Sequence, residues 1–78
     1  MKTQFKSLLA QYRELFNKLE DYTYSFEDRM DSDIVGYQRE YDNGDYSNIE
    51  WLQNQVNAFE SIVRGYEMMR YLFDNRYN

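Results

Sequence analysis

Two trains of apolar side chains, each advancing by alternating steps of three and four residues, commit most of this chain to helix. The first runs Phe5, Leu8, Tyr12, Leu15, Leu19, Tyr22 and Phe26, closes on Arg29, and is widened into a face by Leu9, Phe16 and Met30. The second runs Ile49, Leu52, Val56, Phe59, Val63, Tyr66, Arg70 and Phe73, widened by Ile62 and Met69. A turn of about 3.6 residues brings such positions onto one stripe, so each train predicts an amphipathic helix. No proline and only three glycines interrupt the 78 residues, and these are the residues that end or kink helices.

The spacing predicts one helix over residues 4–31, with Thr3 as N-cap, and another over residues 48–75. Ser47 and Glu50 match the S-x-x-E capping box, and Tyr46 and Trp51 stand where a hydrophobic staple would close it. Each helix would span roughly 28 residues, or about 42 Å. Between them, Met30, Ile34, Tyr37 and Tyr41 keep helical spacing after a stutter. Residues 33–41 therefore extend the first helix or form a short one, bent at Gly36. The "DNGD" run at 42–45 supplies a turn.

The expected fold is all-α: a single domain over residues 1–78, built as an antiparallel helical hairpin with coiled-coil-like packing. A lone hairpin cannot bury both wide faces, and a chain this short lies near the limit for a self-sufficient core. The expected assembly is a homodimer forming a four-helix bundle. The competing expectation is that the spare face awaits a different protein.

Composition removes several function classes. With no cysteine and no histidine, disulfides, thiolate or imidazole metal sites and the commonest general base are excluded. Carboxylates abound, but paired-carboxylate chemistry needs a pocket that splits their pKa values, and no glycine-rich phosphate loop is present. No enzymatic activity and no cofactor are expected. "DSDIVGYQREYD" (31–42) has the length of an EF-hand loop, with Asp31, Asp33, Gly36 and Asp42 in register. Val35 and Arg39, however, stand at two ligand positions, so no metal is expected. A net charge of −5 has the wrong sign for direct nucleic-acid binding. The polar N-terminal stretch and the lack of a long apolar run predict a soluble, cytoplasmic protein with no membrane contact.

The charge is unevenly spread. Residues 1–19 set four cations against Glu14, a net of +3. Residues 20–50 set ten acids against Arg29 and Arg39, a net of −8, and the remainder balances. On a single first helix, lysines would occupy the N-terminal turns while Glu27, Asp28 and Asp31 crowd the C-terminal end, each opposing the macrodipole. Such a pattern predicts a role in dimer orientation or in docking a basic partner. Tyrosine and tryptophan are enriched at binding hot spots. The candidate partner-binding residues are therefore Asp21, Tyr24, Glu27, Asp28, Asp31, Asp33, Tyr37, Glu40, Tyr41, Asp42, Asp45, Tyr46 and Trp51, expected together at the hairpin tip.

Glu20, Asp21, Glu27, Asp28, Asp31, Asp33, Glu40, Asp42 and Asp45 form a carboxylate array along a rigid scaffold. In this compositional respect, about a third of the chain resembles the small acidic proteins that phages use against host nucleases, including anti-CRISPR and anti-restriction DNA mimics. The resemblance implies a phage or mobile-element inhibitor acting in the host cytoplasm, occupying the arginine-rich groove of a nucleic-acid-binding enzyme such as a CRISPR or restriction nuclease. The alternative is a structural or regulatory homodimerisation module whose charges serve self-assembly.

Overall fold

A computed structural model describes residues 1–76. The chain forms three α-helices, α1 (Lys2–Glu20), α2 (Glu27–Asp42) and α3 (Ile49–Arg76), with no strand among the described residues. The all-α expectation holds. The hairpin does not, because the first apolar train is divided between two helices.

The break falls where hydroxyl side chains offer the backbone another partner. The N–H groups of Tyr22 and Thr23 both reach the Leu19 carbonyl at 2.9 Å, and the helical ladder stops there. Thr23 Oγ1 then accepts the Ser25 N–H at 3.2 Å and donates to Ser25 Oγ at 2.9 Å. Local closures of this kind compete with helix continuation. The ladder restarts when Met30 N–H reaches the Phe26 carbonyl. α1 also begins earlier than expected: Met1, not Thr3, is its cap residue, with no side-chain cap bond.

Two helices in place of one remove most of the charge conflict. Lys18 falls in the last turn of α1, Glu27 and Asp28 in the first turn of α2, and Arg39 in its last turn. Glu50 and Arg76 occupy the matching ends of α3. Each of these placements agrees with the helix macrodipole, worth about 0.3–1 kcal/mol apiece at low salt. Only the first turn of α1 lacks an acid.

α2 runs unbroken through Gly36 and covers the predicted 33–41 helix. It ends in a Schellman motif. Asp45 N–H reaches the Glu40 carbonyl at 2.9 Å, Gly44 N–H reaches the Tyr41 carbonyl at 3.1 Å, and Gly44 sits at φ +71°. That left-handed conformation suits glycine because it has no Cβ to clash. Before α3, the expected capping box is replaced by a tighter turn. Ser47 donates both its N–H and its hydroxyl to Asp45 Oδ1, at 3.1 and 2.7 Å, and no hydrogen bond joins Ser47 to Glu50. The staple is absent as well, since Tyr46 packs on Phe5 at 5.5 Å while Trp51 remains 58 % exposed.

The helices run up, down and up. Phe5 meets Tyr46, Tyr12 meets Phe59, and Tyr22 stacks on Tyr66, so α1 and α3 are parallel. Phe5 and Tyr12 both touch Tyr37, Phe5 also stacks on Tyr41, and Tyr12 reaches Asp33, so α2 is antiparallel to α1. α1 is the central element and packs closely against both others. α2 does not pack closely on α3; the Asn48–Glu40 hydrogen bond ties α2 to the turn just before α3. The core is Phe5, Leu8, Leu9, Tyr12, Leu15, Leu19, Met30, Tyr37, Leu52, Val56, Phe59 and Val63. Each chain thus contributes three helices, not the two that the expected four-helix bundle assumed.

Candidate functional site

α1 has 19 residues and α3 has 28. At about 1.5 Å per residue, α3 is longer by roughly 14 Å. Because the two are parallel and start level, the whole excess projects at one end of a molecule 51 Å long. The apolar train continues into this overhang, but the chain's own helices no longer cover it. Met68, Met69, Tyr71, Leu72 and Phe73 are each 58–65 % exposed. Large exposed patches of this kind on a small domain mark interaction surfaces.

At the base of the overhang lies the α1–α2 turn. Tyr22 stacks on Tyr66 at 5.6 Å, and the Arg70 guanidinium stands over the Tyr22 ring at 5.8 Å. Phe26 packs edge-on against Phe59. These contacts hold Asp21, Glu27, Asp28 and Asp31, all exposed, as an acidic ledge beside an apolar projection. Tyr24, 75 % exposed, belongs to the same turn.

The other candidate residues serve the interior or the second turn. Asp33 Oδ2 accepts the Tyr12 hydroxyl at 2.8 Å and lies 4.0 Å from Arg29 Nε. Tyr37 is buried, and burial, followed by the nearby Asp33 and Glu40 charges, pushes its phenol up to about 12. The Tyr12 phenol is raised still further, first by burial and then by its bond to Asp33. Tyr41 and Tyr46 are half-buried around Phe5. Glu40 Oε1 accepts Asn48 Nδ2 at 2.6 Å, while its Oε2 is buried without a hydrogen-bond partner. Asp42 accepts from Gln38. Asp45 is held below the usual carboxylate range by the Ser47 hydroxyl and N–H. Trp51 edges a shallow hollow with Ser32, Gly36 and Glu40.

The thirteen candidates therefore do not form one tip. Asp21, Tyr24, Glu27, Asp28 and Asp31 gather at the overhang end. Glu40, Tyr41, Asp42, Asp45, Tyr46 and Trp51 lie at the other, with about 14 Å of α2 between Asp31 and Glu40. Met69 and Phe73 stand on the predicted seam yet are largely exposed, because the first train breaks after Glu20 and α1 ends short of them.

Residues 31–42 are helical and cannot wrap an ion as a calcium loop does. No group of three or more metal-ligating acids comes together among the described residues. An open groove of about 530 Å³ between α1 and α3, lined mainly by Thr3, Gln4, Ser7, Gln11, Glu50 and Gln53, brings together no acid–base pair. No described helix is long and apolar enough to cross a membrane. Comparison with protein-family models, curated proteins and solved structures returned no match.

Proposed function

We propose that this chain is a small helical protein-binding module that works through the end where α3 overhangs the α1–α2 turn. The observation that carries the reading is the juxtaposition of exposed Met68, Met69, Tyr71, Leu72 and Phe73 with the exposed acids Asp21, Glu27, Asp28 and Asp31. An apolar centre with a charged rim is the usual anatomy of a protein interface. Methionine and aromatic side chains anchor it, and the carboxylates steer and select a partner of opposite charge. No catalytic step belongs to this reading.

The acidity favours one kind of target, a host enzyme with a basic groove for nucleic acid, and the chain would act as its inhibitor. The test is cleavage of duplex DNA by RNA-guided and restriction nucleases with added wild-type protein or the Asp21→Asn/Asp28→Asn/Asp31→Asn variant. Inhibition by the wild type, weakened in the variant and at high salt, is the expected result. Wild-type protein that leaves every nuclease untouched removes the inhibitor form. The second reading, a homodimerisation module, is favoured by the unbroken seam spacing from Ile62 through Tyr66 and Met69 to Phe73.

A further inference from the structure

We propose that Asn43 is a site of self-modification, in which the Gly44 backbone nitrogen attacks the Asn43 side-chain amide at a rate set by opening of the α2 cap. Both residues are exposed, and Asn43 is the C-terminal cap residue of α2. Of the chain's asparagines, Asn43 alone is followed by glycine. Glycine has no Cβ to shield its nitrogen or restrict its rotation, so this is the pair at which such a ring closes most readily. The Gly44 nitrogen loses its proton to water or hydroxide and bonds to Asn43 Cγ. The Cγ–Nδ2 bond breaks, ammonia leaves, and a five-membered succinimide remains. Water then opens the ring at one of its two carbonyls. Attack at Cγ leaves aspartate, whereas attack at the backbone carbonyl leaves isoaspartate, with the chain rerouted through Cβ and Cγ. The net exchange is one amide for one carboxylate, and water is the sole co-reactant.

The folded turn holds the reacting atoms apart. Asn43 stands at φ −88° and ψ 0°, so the Gly44 nitrogen eclipses the Asn43 nitrogen and lies away from the side chain. Ring closure needs ψ turned until that nitrogen eclipses Cβ. The nitrogen is also occupied, since Gly44 N–H reaches the Tyr41 carbonyl at 3.1 Å. Turning ψ breaks this bond and its neighbour, from Asp45 N–H to the Glu40 carbonyl at 2.9 Å. Both belong to the Schellman motif, which is therefore the gate. A solvent-exposed helix end opens far more often than the core does. Past the turn, the Ser47–Asp45 bonds and the packing of Tyr46 on Phe5 hold the chain, so the opening stays local.

Either product disfavours the closed turn. Both add a carboxylate at the C-terminal end of α2, between Asp42 and Asp45 in sequence and against the helix macrodipole. Isoaspartate also lengthens the backbone by one carbon, so the two cap bonds no longer close. Modification thus loosens the connection between α2 and α3, and water does not reverse it. The site lies at the opposite end of α2 from the overhang and is independent of the contact surface proposed there.

The test uses the full chain. Native and urea-unfolded protein are incubated in mildly alkaline buffer, and the modified residues are located by peptide mapping. In the unfolded chain Asn43 should react before any other asparagine. In the native chain it should react at least about tenfold more slowly, because only the opened cap is competent. The same nitrogen is nucleophile and hydrogen-bond donor. The slowing should therefore match the protection of Gly44 N–H against hydrogen exchange, within about threefold. Asn43→Gln, whose ring closes far more slowly, should keep its thermal midpoint on ageing, while the modified wild type loses several degrees. A native chain modified as fast as the unfolded one overturns the gate, as does a slowing unrelated to Gly44 exchange. Another asparagine reacting first overturns the site.

Discussion

The Tyr12 hydroxyl donates to Asp33 Oδ2 at 2.8 Å, joining the buried side of α1 to the middle of α2. The bond spans 21 residues of sequence and fixes the register of two helices that the first apolar train presents as one. Tyr12 also packs edge-on against Tyr37 and Phe59. It therefore lies where all three helices converge.

Tyr12→Phe keeps the ring and removes the donor, leaving a half-buried carboxylate short of a partner. Hydrogen bonds to charged groups are worth about 1.5–3 kcal/mol, and a loss of about 1–2 kcal/mol is expected because Asp33 keeps some solvent access. Urea unfolding checks it. Tyr12→Phe/Asp33→Asn should recover part of the loss, since the orphaned charge is gone.

Both Tyr12 and Tyr37 have phenols raised above their ordinary value of 10, chiefly by burial. A raised acid binds its proton more tightly in the folded chain. Its stabilisation is intact below pH 10 and is lost as pH climbs towards the folded value, about 12 for Tyr37. Tyrosinate absorbance of the native protein should lag that of the guanidinium-unfolded chain over this range, and Tyr37→Phe should shorten the lag.

Gly44 holds the left-handed position of the Schellman motif. Gly44→Ala should destabilise by about 1 kcal/mol, whereas Gly65→Ala, inside α3 with open space around it, should stabilise the monomer by about 0.5–1 kcal/mol through helix propensity. Opposite shifts in thermal midpoint for two identical substitutions would confirm the contrast.

Glu40 keeps one oxygen buried without a hydrogen-bond partner, in the most acidic part of the chain. Glu40→Gln removes the charge while keeping an acceptor for Asn48. A gain of about 0.5–1 kcal/mol is expected, and a lower thermal midpoint in the variant would show that the charge is stabilising there.

The buried face of α3 is legible from Ile49 to Val63 because its spacing is uninterrupted and tertiary packing follows it. The Gly44 turn is legible for the same local reason. What spacing could not show was the stop at Glu20. Tyr22 and Phe26 stay in phase with the train, and they do pack inward, but from a turn held by Thr23 and Ser25 rather than from a helix. That one misreading made the charges of Glu27 and Asp28 look opposed to the dipole. It turned a three-helix fold into a hairpin and placed the acidic turn at the wrong end relative to the end of α3. Among the site residues, Asp21, Tyr24, Glu27, Asp28 and Asp31 were readable as exposed, and Tyr37 and Tyr41 share the helical spacing of Met30 and Ile34, but periodicity does not name Phe5 and Tyr46 as their partners in the aromatic cluster.

The parallel course of α1 and α3 is what brings the acidic ledge and the apolar overhang to one end. Ser7→Cys/Gln53→Cys, labelled with spin probes in this cysteine-free chain, tests it directly. Ser7 and Gln53 line the same groove, so the measured distance should be short, set by helix axes about 8–10 Å apart. In an antiparallel hairpin, residue 7 would lie beside residue 72, and the two labels would be separated by roughly 28 Å along the helices. That longer distance would contradict the fold and, with it, the site.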